Sequence, residues 1–194
     1  MKCEGKIIKG AIEMISKVGF ANFKMVDLSA TSKISTVTIR SYFKTKDDLL
    51  SKIIRMIWDE IMVKVNLELV GLVGKNPIDI ITGIFVILCD YLEVNEKNAV
   101  IILRESRNRG IQMPVSQDAF MLLLRSVLKS GQEKRILKID LAPAEMEGII
   151  LGVWEEFFKR YYIGGISELQ KLKSEDPFSD FLNILNLLLM NFSK

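Results

Sequence analysis

The sequence predicts an all-α protein of about nine helices, a small N-terminal three-helix unit joined rigidly to a larger helical one. Three observations carry that prediction. Apolar residues recur three and four apart through most of the 194 residues. No stretch sustains the alternation of a strand. Glycine and proline fall where one periodic segment gives way to the next, as at Gly19, residues 71–77, Pro114, Gly131, Pro143 and Pro177.

Each element follows in order. Ile8, Ala11, Ile12 and Ile15 give a first helix over about residues 3–18, stopped by Gly19. A short second helix runs from about Met25 to Ser32. A third covers about Thr36 to Phe43, with Ser35 as its N-cap. Thr45 and Asp48 form a capping box for the fourth, whose apolar positions from Leu49 to Val65 make it long. "GLVGKNP" breaks the pattern, and Pro77 opens a fifth helix reaching about Val94. The sixth spans about Glu96 to Arg109, and Gly110 and Pro114 separate it from the seventh, which Gly131 ends. Pro143 opens an eighth, stopped near Ile163 by Gly164 and Gly165, and a ninth follows Pro177. The natural division is 1–45 and 46–194, with the fourth helix as a stiff connection because no flexible linker intervenes.

Composition excludes several function classes. There is no histidine, so the commonest general base and metal ligand are both absent. Cys3 and Cys89 make neither a disulfide framework nor a zinc site, and no phosphate-binding or nucleophile-elbow motif occurs. We therefore expect no metal, no cofactor and no catalysis. The apolar run Ile78–Cys89 is shorter than the roughly 20 residues of a membrane span. No signal peptide is read in the first residues, so a cytoplasmic address and no membrane partner are expected.

Charge is distributed unevenly. Residues 1–58 hold 11 Lys/Arg and 5 Asp/Glu, a net +6, whereas the remaining 16 and 19 give −3. A basic N-terminal end suits an anionic partner. "KISTVTIRSYFKTK" concentrates hydroxyls and cations with no acid among them. Two short helices joined by a turn of three or four residues have helix-turn-helix geometry. Leu28, Ile34 and Ile39 would lock the two helices, leaving Thr36, Val37, Arg40 and Ser41 outward. Such a helix fits the DNA major groove, with Lys44 and Lys46 at the phosphate edge.

Residues 7–50 resemble the N-terminal DNA-binding domain of the TetR family of bacterial repressors. Gly19-Phe20, Asp27-Leu28, Ile34-Ser35, Thr38-Ile39, Tyr42-Phe43 and the closing Lys46-Asp47-Asp48-Leu49-Leu50 carry the likeness. The resemblance implies phosphate contacts from Lys24, Tyr42 and Lys46, and base-side contacts from Thr36, Val37, Thr38 and Ser41. Arg40 stands where a phosphate-touching Tyr is common, and could serve phosphate or guanine. Lys33 and Val37 replace family glycines, and Lys24 replaces a capping Ser or Thr. The partner implied is a double-stranded, palindromic operator.

The larger unit suggests self-association and a ligand. The last helix is apolar on more than one face, through Phe181, Leu185 and Leu189 and again through Ile184, Leu187 and Leu188. One chain needs only one such face buried. Gly148 and Gly152 would permit close helix approach on the eighth helix. The resemblance implies a homodimer through about residues 143–163 and 177–192, forming a four-helix bundle. It also implies an effector pocket. Phe85, Cys89, Phe120, Leu124, Trp154 and Phe158 could line it, with Arg104 and Arg107 supplying charge; each also reads as ordinary core or surface. Apolar walls suit a small hydrophobic or amphipathic effector. The expected function is a ligand-released repressor. The alternatives are a helical ligand-binding or adaptor protein without DNA binding, and an enzyme using carboxylates.

Overall fold

The computed structural model describes residues 2–105, 112–138, 140–163 and 175–193. Within them the chain forms α1 (Lys2–Val18), α2 (Met25–Ser32), α3 (Thr36–Tyr42), α4 (Lys46–Leu69), α5 (Pro77–Val94), α6 (Glu96–Glu105), α7 (Val115–Glu133), α8 (Pro143–Tyr162) and α9 (Pro177–Phe192). Four helices, α3, α4, α5 and α9, start on side-chain caps of the residue types that favour them. Ser35 Oγ accepts from Thr38 N at 3.0 Å. Thr45 and Asp48 exchange both bonds of a capping box, each at 3.0 Å. Asn76 and Asp176 cap α5 and α9 ahead of their prolines.

Two details depart from the sequence reading. Gly131 does not end α7, which continues to Glu133; the left-handed turn falls at Arg135, with φ 57°. Gly131 is small for another reason. A Cβ there would lie 2.6 Å from Leu137 Cδ1 and 3.3 Å from Pro77 Cβ. The segment after α4 winds into a 3₁₀ turn, Val70–Leu72, before Gly74 turns the chain at φ 82°. The expected end of the sixth helix, residues 106–109, lies outside the described residues.

One continuous apolar core runs through both units. α1, α2 and α3 pack as a tripod around Leu28 and Ile39, and Gly10 lets α2 approach α1 closely. In the larger unit α4, α5, α7, α8 and α9 pack together, with Phe85, Phe157, Phe158 and Phe181 forming an aromatic knot. α4 and α6 both touch α1. Those two helices tie the small unit to the large one.

Candidate nucleic-acid interface and helical cavity

α3 is a short helix with one inward residue. Ile39 is buried, while Val37, at 80% exposure, and Arg40, Ser41 and Tyr42 stand in solvent. Thr36 and Thr38 are half-buried. Thr38 contributes to the cap, its hydroxyl 2.8 Å from Ser35 Oγ. Ser41 Oγ donates back to Thr38 O at 2.7 Å. Arg40 has no hydrogen bond or ion pair among the described residues, so its guanidinium is free for an outside anion. The turn before α3 is held by Ser29 Oγ donating to Ile34 O at 2.7 Å. Lys24 precedes α2 in extended conformation, its exposed side chain making no cap bond.

Lys46 has a second engagement. Its Nζ donates to Phe20 O at 3.3 Å and sits 4.5 Å from the centre of the Phe20 ring. On the other side, Phe20 N donates to the buried Glu105 carboxylate at 3.0 Å. The peptide at Phe20, in the turn between α1 and α2, is thus gripped by the first residue of α4 and the last described residue of α6. Arg104, placed in the pocket by sequence reasoning, belongs to this junction instead: its Nη1 donates to Ser16 O at 3.4 Å. Glu13 adds a further tie, bonding Lys17 on its own helix and Lys97 on α6.

A cavity of about 280 Å³ opens between α4, α6, α7 and α8. Trp58 of α4 and Ile102 of α6 form one wall; Gln117, Phe120 and Met121 of α7 form another, with Met113 before it. Leu151, Trp154 and Glu155 of α8 close the third side. The two tryptophans are 5% and 6% exposed, and both indole Nε1 atoms are fully buried without a hydrogen-bond partner among the described residues. Glu155 pairs with Lys159 at 2.8 Å.

Of the described pocket residues expected from sequence, Phe120 and Trp154 reach this space. Phe85, Leu124 and Phe158 are fully buried core, and Cys89 is nearly so. Burial pushes the Cys89 thiol up to about 12, helped by Asp90 and Glu93. Arg107 lies outside the described residues. Sequence reasoning missed Trp58, Gln117 and Met121. The usable signals were a tryptophan, which carries a polar handle, inside the apolar run of α4, and the spacing Gln117–Met121 beside Phe120.

The family model described as bacterial regulatory proteins, tetR family, matches residues 7–53, which are α1 to α3 and the start of α4. Residues 7–53 thus carry the N-terminal domain of the tetR family. It is a family of transcriptional regulators rather than of enzymes. Over 144 residues the chain is 23% identical to the HTH-type transcriptional repressor NicS of Pseudomonas putida. That match covers 70% of this chain and 66% of the curated relative, just short of two thirds. Among solved structures, the regulator FadR of Bacillus subtilis in complex with stearoyl-CoA superposes with a TM-score of 0.77 at 16% identity, covering 95% of this chain and 96% of that one. The ketosteroid transcriptional regulator KstR2 of Mycobacterium tuberculosis gives 0.72 at 16%, covering 98% and 95%. These likenesses are of fold.

Against the tetR pattern, each departure now has a place. Lys33 takes the left-handed conformation that the usual glycine adopts freely, with φ 57° and ψ 29°. Val37 stands in solvent on α3, 80% exposed. On α8, Gly148 and Gly152 have nothing within 4 Å of an added Cβ among the described residues. On α9, Leu187 and Met190 are 61% and 71% exposed, opposite the buried Phe181, Leu185 and Leu189. Among the described residues no helix is long and apolar enough to cross a membrane.

Proposed function

We propose that this DNA-binding regulator of the tetR family is a homodimeric, cytoplasmic repressor, released from a palindromic operator by a small hydrophobic or amphipathic molecule. The observation that carries the DNA reading is α3: a well-capped helix that buries only Ile39 and presents Val37, Arg40 and Ser41 to solvent. In this reading Thr36, Val37 and Ser41 face bases, with Thr38 holding the cap. Arg40 meets phosphate or guanine, and Lys24 and Tyr42 meet phosphate. Lys46 serves phosphate only by leaving Phe20. Residues 1–45 form the reader and 46–194 the receiver.

The relatives support the ligand half: NicS is named a repressor, and the FadR structure holds stearoyl-CoA. The exposed apolar faces of α8 and α9 support the dimer. Two recognition helices about one DNA turn apart, roughly 34–36 Å, would read two half-sites. A ligand acts only by favouring one arrangement over another. Trp58 and Ile102 line the cavity, and the same two helices grip Phe20 through Lys46 and Glu105. Filling the cavity would therefore move the α1–α2 turn and change the separation of the two α3 helices.

The experiment is fluorescence anisotropy with DNA from upstream of the gene against scrambled DNA, across a salt series. Specific binding at moderate salt, lost on Arg40→Ala, supports the regulator. Equal weak binding to both, vanishing with salt, is counterion release alone and favours the adaptor alternative.

A further inference from the structure

We propose that Val37 reads the C5-methyl group of a thymine in each operator half-site, so that an apolar contact rather than a hydrogen bond fixes the base at the centre of the recognition face. The inference rests on reading α3 as the recognition helix and names what its face recognises. Position comes first. At about 100° per residue, the residues two before and two after the buried Ile39 lie about 160° from it, on the far side of the helix. Those residues are Val37 and Ser41. Thr38 and Arg40 lie about 100° to either side of Ile39, on the flanks. A helix that enters the major groove with Ile39 against its own domain therefore leads with Val37 and Ser41.

Chemistry comes second. Val37 is 80% exposed and carries no polar side-chain group. Ser41 already directs its proton to Thr38 O at 2.7 Å, and the Thr38 hydroxyl is engaged with Ser35 Oγ at 2.8 Å. The leading face is thus short of free donors and carries one apolar knob. Base edges in the major groove offer one matching feature, the thymine methyl. Set against a purine or cytosine edge, Val37 would strip water from polar atoms and return no hydrogen bond. The same side chain therefore favours thymine and disfavours the other bases. Stiffness comes third. Valine in a helix keeps essentially one χ1 rotamer, so little side-chain entropy is lost when the contact forms.

The test starts by selecting duplexes from a random pool with the full-length protein. Each thymine of one enriched half-site is then replaced in turn by uracil, which removes only the methyl, and affinity is read by fluorescence anisotropy. The expected result is one thymine whose replacement weakens binding about fourfold, the factor that burying one methyl-sized group carries. Val37→Ala, checked for native helicity by circular dichroism, should cut that penalty below about twofold at the same position. The comparison is a cycle, so any general loss of affinity or stability in the variant cancels. An enriched site with no uracil-sensitive thymine overturns the proposal and leaves the DNA-binding reading intact. So does a penalty that Val37→Ala leaves unchanged, which assigns the methyl to another residue or to duplex shape. No enrichment of any sequence overturns both.

Discussion

Lys33 spends its place in the turn at a left-handed φ of 57°, a conformation that costs an L-residue about 1–2 kcal/mol. Lys33→Gly relieves that strain but frees the unfolded chain, so the net gain expected is about 0.5–1 kcal/mol in urea denaturation. The sequence made this legible, because a lysine stood where the resemblance to the tetR pattern implies glycine. The two cysteines differ by environment. The Cys89 thiol, buried and raised to about 12, should resist iodoacetamide at pH 8 in the native protein, while unfolding exposes two thiols per chain. Glu13 predicts an acid response. Lys17 first, and then Lys97, hold its carboxyl down from 4.5 to about 2. Its contribution is therefore present above about pH 4.5 and lost as pH falls toward 2. Lys97→Ala should flatten part of that acid loss, measured as melting temperature against pH. Nothing in the sequence pairs Glu13 with Lys97: 84 positions separate them, and only the packing of α1 on α6 brings them together.

At the scale of elements, most helices were readable because their starts are punctuated by local chemistry. Ser35, Thr45 and Pro77 mark starts that local hydrogen bonding or a fixed φ dictates. The end of α7 was misread for the opposite reason. Glycine can signal a turn or a close approach, and Gly131 answers to Leu137, which is distant in helical register but pressed against it. Gly131→Ala tests this. A helix interior normally gains about 1 kcal/mol from that change, but a Cβ 2.6 Å from a fully buried Leu137 side chain should turn the gain into a loss of about 1 kcal/mol or more. The cavity was harder to read than the helices. Aromatic residues on α5, α7 and α8 share one composition, and whether each fills the core or borders a void depends on how four helices meet. Phe85 and Phe158 go to the aromatic knot, while Trp58 and Trp154 border the space.

For the whole molecule, association is the quantity to measure. Leu187 and Met190 leave an apolar stripe on α9 that stays largely exposed among the described residues. Leu187→Glu should shift sedimentation from dimer to monomer and weaken operator binding together, since each half-site alone is read weakly. Unchanged sedimentation would overturn this α9 interface.

The grip on Phe20 has an evolutionary corollary. Two of its contacts end on main-chain atoms, the N–H taken by Glu105 and the C=O taken by Lys46. Every amino acid offers that carbonyl, and every one except proline offers that N–H. Position 20 can therefore drift among side chains of the right bulk while the two bonds persist. Inheritance of the link between receiver and reader then rests on residues 46 and 105. A lineage could retune its cavity and its operator separately without renegotiating the wire between them.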